Sequence, residues 1–369
     1  MVIEGRDYSI NVLVLFMENE VDVTVQTIET IMTGLENGVV ISVLLNGGSN
    51  LHIRNLFSRC PQIRYYESDV NLGVAGGRNY LFRTEECRKA DIVMVLDNDV
   101  VPPVDYIRNL ASFLLKNKDA GVVGACNADI KNLSDILKDN ISSDPGIFGN
   151  KVYKLTCAEV KASFFQRLAP ESLYHIGMHP DYYYSYFSLR PRMFEIANIF
   201  FRRLGRKLNR EHILKFNKTY LDLIRKGCDR FEVSNVAGCS QAFRRKLLDE
   251  LGWLDDRFNP YGFEDVDFNI RVLKAGYKNY IDTGTWLLHG TDSRHKQRDL
   301  MKMWETALKS LTVLAANVFG DPKKYKPIIY KMIYGVFVLE LLSSDKGAYP
   351  RLKAKMNGYR RGLKILSEN

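Results

Sequence analysis

The chain has 369 residues, 46% of them hydrophobic and 26% charged, which suits about two domains or one large α/β unit with additions. Its six cysteines are scattered without a C-x-x-C pair; this excludes a disulfide framework or a zinc site and reads as reduced, cytosolic thiols. The net charge of +9 is uneven: residues 1–150 carry 13 basic against 20 acidic side chains, 151–230 carry 16 against 7, 231–299 carry 10 against 11, and 300–369 carry 13 against 5. Two basic segments therefore flank a near-neutral block. They favour an anionic partner (a membrane surface, a phosphorylated lipid or a nucleic acid) or form a solvated surface.

Glu4, Arg6 and Asp7 precede the first apolar run, so no leader is read at the N-terminus. Ile10 to Phe16 reads as the first strand and Val21 to Met32 as a helix. Val39 to Leu45 is the second strand, closed by the turn sequence Asn46-Gly47-Gly48-Ser49. A short third strand covers Ile63 to Tyr66. Asn71-Leu72-Gly73-Val74-Ala75-Gly76-Gly77-Arg78-Asn79 follows, and the chain then reads as helical to Cys87. Gly73, Gly76 and Gly77 either let backbone N–H groups approach a diphosphate, with Arg78 adding charge, or pack a plain helix start tightly. The spacing is not G-x-G-x-x-G, so it does not support a dinucleotide fold.

Ile92 to Leu96 is five apolar residues in a row, as in a strand buried on both faces. Asp97-Asn98-Asp99 comes at its carboxyl end, where open α/β sheets bind ligands. The two carboxylates are positioned to meet a cation, a phosphate-bound metal or a ribose. Gly121 to Ala125 reads as the fifth strand. Strands alternating with helical patterns predict a parallel sheet of crossover units.

Residues 127–232 break this alternation. Asp135 to Asn150 reads as a loop, and Tyr182, Tyr183, Tyr184, Tyr186 and Phe187 form an aromatic cluster that packs or stacks on sugars. From Arg192 to Arg210, apolar residues at helical spacing alternate with Arg202, Arg203 and Arg206. Such a helix lies in a lipid interface or packs with a solvated basic face. Order returns at Ser234 to Phe243 and in a short helix over Leu247 to Leu251. Gly262-Phe263-Glu264-Asp265-Val266-Asp267-Phe268 then opens a helix, with Phe268, Val272 and Ala275 on one face and Gly276 as its cap. Three acids in the first turn suit the macrodipole, and one at the helix mouth can serve as a general base. His289 in Leu287-Leu288-His289-Gly290 is a candidate metal ligand. After residue 300 the pattern is helical, with Leu300, Trp304, Ala307, Leu311, Leu314 and Val318 as an apolar stripe. The apolar tract Ile328 to Leu342 is interrupted by Lys331 and Glu340 and is shorter than the roughly twenty residues a bilayer needs. A basic tail runs from Arg351 to Lys364.

In this order and spacing, the stretches from Asn71, Asp97, Ala237 and Gly262, with His289-Gly290, resemble family-2 glycosyltransferases of the GT-A fold. The likeness covers residues 9–126 and 233–290 and includes bacterial surface-polysaccharide enzymes of the rhamnosyltransferase-like branch. It implies an α/β, Rossmann-like, mostly parallel sheet flanked by helices. Residues 1–299 would be the catalytic domain, with 127–232 inserted toward acceptor or membrane, and 300–369 a basic helical extension. It implies a divalent cation (Mn²⁺ or Mg²⁺) on Asp97, Asp99 and His289, with Asp99 as direct ligand. Asp265 matches the catalytic base, and Glu264 lies where acceptor or donor hydroxyls are held. The implied contacts to a nucleotide-diphosphate sugar run over Phe16, Glu18, Asn46, Asn71, Gly73, Gly77, Arg78, Asp97 and Asn98.

Two positions depart from the family. Phe16-Met17-Glu18-Asn19 replaces a P-T-Y-N-like loop, and Asn46 replaces an aspartate that reads the base. The base is thus open between UDP, dTDP and GDP. The implied acceptor is a glycan or lipid-linked hydroxyl, with a cytoplasmic enzyme resting on the inner membrane face. The departures also motivate an alternative, a catalytically silent nucleotide-sugar-binding subunit. No nucleic-acid motif accompanies the basic segments.

Overall fold

In the computed structural model, β-sheet strands grow from the apolar runs. The structure describes residues 1–130, 141–145, 147–148, 151–167, 220–290, 299–341 and 347–368. In chain order the sheet strands are β1 Ile10–Phe16, β2 Val39–Asn46, β3 Ile63–Ser68, β4 Ile92–Leu96, β5 Val100–Val101, β6 Ala120–Ile130, β7 Arg230–Val233, β8 Ser240–Arg244 and β9 Lys278–Gly290. They form a nine-stranded sheet in the order β7-β9-β6-β8-β4-β1-β2-β3, with β5 paired on β9. The β4-β1-β2-β3 half is parallel, in register Ile10↔Ile92 and Ile10↔Val39. β8 enters antiparallel between β4 and β6, bringing Ser240 opposite Leu96. β9 runs parallel to β6.

All five residues of β4 are buried. Val93 and Val95 belong to one core cluster, and Ile92, Met94 and Leu96 to another. The period of two divides the strand between the layers on either face of the sheet. The helices are α1 Val21–Thr33, α2 Leu51–Phe57, α3 Gly73–Phe82, α4 Glu85–Lys89, α5 Tyr106–Lys116, α6 Cys157–Arg167, α7 Lys246–Leu251, α8 Glu264–Lys274, α9 Leu300–Phe319, α10 Pro322–Leu341 and α11 Ala348–Ser367.

The differences from the sequence reading have local causes. The helix expected to run unbroken to Cys87 stops at Phe82 and restarts at Glu85, because Thr84 accepts a hydrogen bond from the Cys87 N–H and caps a second helix. Within the loop expected over Asp135 to Asn150, Ile141–Pro145 is a strand paired antiparallel with Lys151–Tyr153. The short α2, capped by Asn50, and the amphipathic α5 were not assigned from the sequence. The fifth strand extends to Ile130, and β9, a strand of 13 residues, was not assigned from the sequence. The aromatic cluster at 182–187 and the basic helix at 192–210 lie outside the described residues.

A third cluster, built on Leu311, Leu314, Ile329 and Tyr359, gathers α9, α10 and α11 and reaches Phe258 and Val266 beside α8. Leu300 and Trp304, expected on the apolar stripe of α9, are instead exposed. The buried face of α9 includes Lys309, Ser310 and Thr312. Among the described residues, no helix is long and apolar enough to cross a membrane.

The α9–α11 contact is close enough to demand glycine. A Cβ on Gly358 would come 2.3 Å from the Glu305 carbonyl oxygen, and one on Gly362 would come 2.6 Å from Thr312 Cβ. Gly358→Ala should therefore lower the melting temperature. Overpacking against backbone costs about 1–3 kcal/mol, which outweighs a helix-propensity gain of about 1 kcal/mol. Thermal unfolding followed by circular dichroism reads the sign.

Candidate active site

Three segments distant in sequence converge beyond the carboxyl end of β4. Asp97 leaves that end, its N–H donating to the Cys239 carbonyl at 3.3 Å. β5 pairs with the end of β9, setting His289 opposite Val100. The Gly290 N–H donates to the Asp99 carbonyl at 2.9 Å. This pairing brings the imidazole to the acids: His289 Nε2 lies 3.7 Å from Asp97 Oδ2 and 3.6 Å from Asp99 Oδ1. Two carboxylates and an imidazole so close form an oxygen-and-nitrogen donor set that fits a divalent cation of the Mn²⁺ or Mg²⁺ kind. Cys239 joins them, its Sγ within 4.8 Å of ligand atoms of Asp97 and His289. The sequence reading missed Cys239, since no spacing links it to the other two. Burial, then the Asp97, Asp99 and Asp265 carboxylates, push its thiol well up. It is a neutral thiol beside the acids.

Arg78 joins the two acidic clusters. This buried guanidinium donates from Nη2 to Asp97 Oδ1 at 3.2 Å and to the Gly238 carbonyl at 3.1 Å, and from Nη1 to Glu264 Oε1 at 3.2 Å. Burial works against the Asp97 anion, but the nearby His289 imidazole and the Arg78 charge outweigh it and hold the carboxyl below its ordinary value.

Asp265 accepts from the Gly238 N–H at 2.9 Å and from the Val266 N–H at 2.8 Å. A Cβ on Gly238 would lie 3.1 Å from both Arg78 Nη1 and Asp265 Oδ2, so only glycine fits comfortably between them. Burial and the adjacent Glu264 carboxylate push the Asp265 carboxyl up to about 7, against the lowering pull of Arg78 and the two backbone donors. Phe263, the residue before this pair, holds a left-handed φ of 71°. A bulky residue in that region is strained, and such strain gathers at functional sites. Asp267, the third acid of the turn, is structural: it accepts from Arg271 Nε and Asn317 Nδ2.

The other expected donor contacts sit differently. Asn46 ties down the loop after β3, accepting from the Leu72 N–H and donating to Asn71 Oδ1 and the Gly73 carbonyl. At the start of α3, the Gly73 N–H is taken by Asn71 Oδ1, Val74 N–H by the Pro260 carbonyl and Gly76 N–H by Asn259 Oδ1. A Cβ on Gly77 would meet Leu15 at 2.7 Å. These partners favour the packing role for the glycines over a diphosphate cradle. Phe16 is buried in the core, and Asn98 donates to Glu20 and Thr24 beside α1. Glu18 lies near Gly48, across from the end of β2.

Residues 11–165 match the model of glycosyl transferase family 2. Over that span, which is less than half of the chain, the protein is similar to the glycosyl transferases of family 2. The matched span contains Arg78, Asp97 and Asp99 but ends before Glu264, Asp265 and His289. No curated protein matches the chain in sequence. Among solved structures, the mannosyltransferase PcManGT from Pyrobaculum calidifontis, in complex with GDP-Man and Mn²⁺, is 13% identical, with 98% of this chain and 79% of that one covered and a TM-score of 0.48. GalNAc-T7, solved with UDP, GalNAc and Mn²⁺, is 11% identical, with a TM-score of 0.55 over 98% of this chain and 57% of that one. The likeness to GalNAc-T7 gives the chain the GT-A fold, and the chain spans little more than half the length of GalNAc-T7.

The site depends on Arg78 for its charge balance. Removing one partner of a buried pair leaves the other charge uncompensated, at a cost of about 3 kcal/mol. Arg78→Met should lower the unfolding midpoint in urea accordingly, and Arg78→Met combined with Glu264→Gln should recover part of the loss.

Proposed function

We propose that the protein is a metal-dependent, inverting glycosyltransferase. In this reading it moves a sugar from a nucleotide-diphosphate donor to a hydroxyl of a glycan or lipid-linked acceptor, in the building of bacterial surface polysaccharide. The observation that carries the proposal is the meeting of the Asp97–Asp99–His289 donor set with the Glu264–Asp265 pair through Arg78. GalNAc-T7 was solved with UDP and Mn²⁺, and a donor and cation of those classes are proposed here.

Asp97, Asp99 and His289 would hold the cation, which when bound neutralises charge on the departing diphosphate. Asp265 takes the acceptor hydroxyl proton as the new bond forms to the anomeric carbon and the bond to the diphosphate oxygen breaks. One displacement of this kind inverts the anomeric centre. A base works best with a pKa close to the working pH, and a carboxyl at about 7 meets that condition where an ordinary one does not. The Gly238 and Val266 N–H groups fix both oxygens of Asp265, while Arg78 and the Gly262 N–H fix those of Glu264. Glu264 is then oriented to receive a hydroxyl of donor or acceptor.

The catalytic unit proposed is residues 1–299, with the 127–232 segment serving the acceptor and 300–369 as a basic extension. A lipid-linked acceptor would bring the enzyme to an anionic membrane face, and the 13 basic against 5 acidic residues of 300–369 support that.

Asp265→Asn should lower kcat by about 10²–10⁴-fold, the usual worth of general-base catalysis, while the thermal shift given by a nucleotide diphosphate with Mn²⁺ persists. Turnover equal to wild type would remove Asp265 from the mechanism. The ionised carboxylate is the active form, so kcat/KM should fall as pH drops through about 7. Glu264→Gln removes the neighbouring like charge and should move that limb to lower pH. Chelation should abolish both the nucleotide-diphosphate thermal shift and turnover, with Mn²⁺ restoring both in the wild type but not in Asp99→Asn.

A further inference from the structure

α10 turns an unusual face outward. Tyr330, Tyr334 and Phe337 recur at i, i+4 and i+7, which sets them on one stripe of the helix. They are 59%, 71% and 43% exposed. The opposite side is the packed one: Tyr325 and Ile329 are buried, and Met332, Ile333 and Val336 lean on the third cluster. Large aromatics in an exposed row are not explained by folding, since the helix already has a buried face.

Within α10 the exposed charge around the row has one sign. Lys323 lies at its N-terminal end, and Lys326 and Lys331 flank it at the angles that 100° per residue gives. No acid occurs between Pro322 and Leu339. Glu340, the first, is buried and paired with Arg351 and Lys355.

We infer that this face of α10 docks in the plane of an anionic lipid bilayer. The aromatic rings enter the headgroup boundary while the lysines meet lipid phosphates. Aromatic rings favour that boundary because one end is apolar and the other wet. Lysines on long stems reach the phosphates from the flanks of the helix. The helix does not span, in keeping with its four lysines and its proline. A second copy of this chain is the weaker occupant, because its lysine rim would face an identical lysine rim.

The inference deepens the reading of a lipid-linked acceptor, yet the test needs no donor or acceptor, so failed docking leaves the transfer chemistry standing. The full chain is sedimented with vesicles of phosphatidylcholine alone or of phosphatidylcholine containing phosphatidylglycerol. It should pellet only with the latter, and less as salt rises. Replacing Tyr330, Tyr334 and Phe337 together by Ser should weaken pelleting by about tenfold or more at an unchanged melting temperature. Lys326→Glu with Lys331→Glu should do the same. If the Ser variant misfolds, Tyr334→Trp provides a second reading: its added emission should shift to the blue on anionic vesicles. Wild type left in the supernatant with anionic vesicles overturns the inference, as does a folded Ser variant that pellets like wild type or an unshifted Trp. Light scattering that shows a wild-type dimer and a monomeric Ser variant, with pelleting unchanged, overturns it in favour of self-association.

Discussion

One guanidinium holds this site together. Arg78 stands between Asp97, from the end of a strand, and Glu264, from the start of a helix 186 residues further along the chain. Both Arg78 and Glu264 are buried, so their charges are acceptable only as a pair. The planar fork of arginine makes this possible: two nitrogens serve two carboxylates and one of them also serves the Gly238 carbonyl. Four carboxylates gather here, Asp97, Asp99, Glu264 and Asp265, and Arg78 is the cation bonded between two of them. The surplus negative charge has two outlets. One is protonation of Asp265, whose carboxyl is pushed up to about 7. The other is binding a cation beside Asp97 and Asp99, which reverses the local balance.

The C-terminal helices belong to the same structure. Lys309 on α9 is buried and donates to the carbonyls of Arg257 and Asn259 at 2.7 and 2.5 Å. Asn317, two turns on, bonds both Asp255 and Asp267. These contacts fix the turn from Asp255 to Pro260. That turn in turn occupies the amide groups at the start of α3, through Asn259 and Pro260. Residues outside the family match therefore brace the helix that carries Arg78. Burial lowers Lys309 to about 8, a cost accepted for two backbone carbonyls that would otherwise lack a donor.

Much of this was legible from residue pattern. The both-face burial of Ile92–Leu96 followed from an unbroken apolar run, and the site followed from acids placed at the end of that strand and at the mouth of α8. What escaped depended on tertiary pairing. β9 reads weakly because its Asp282, Thr283, Gly284 and Thr285 interrupt the apolar pattern, and only its pairing with β6 keeps the strand continuous, with a register shift at that place. Leu300 and Trp304 matched a helical stripe but stay exposed, and what α11 brings to the Trp304 ring is the Lys355 ammonium. The glycines before Arg78 matched a phosphate-binding pattern equally well as a packing one. Their partners separate the two: Asn71 and, far along the chain, Asn259 and Pro260 take up the amide groups, and Leu15 packs on Gly77.

The first turn of α8 shows how one helix start can serve two purposes. Glu264, Asp265 and Asp267 all gain from the helix dipole. A hundred degrees per residue then sends them to different neighbours. Asp267 meets Arg271 and Asn317 and is consumed in holding α8 to α9. Among the described residues, Asp265 accepts its hydrogen bonds from backbone donors, the N–H groups of Gly238 and Val266. Backbone N–H groups orient a carboxylate without bringing a full positive charge to it. An acid that must accept a proton near neutral pH is better held by such donors than by a cation, which would keep its carboxyl low. The cation goes to the neighbour: Arg78 binds Glu264, and the Glu264 carboxylate beside Asp265 raises the affinity of Asp265 for a proton. A cation-bound acid beside a backbone-held one is the asymmetry that the proposed mechanism needs, in which Glu264 would position and Asp265 would react.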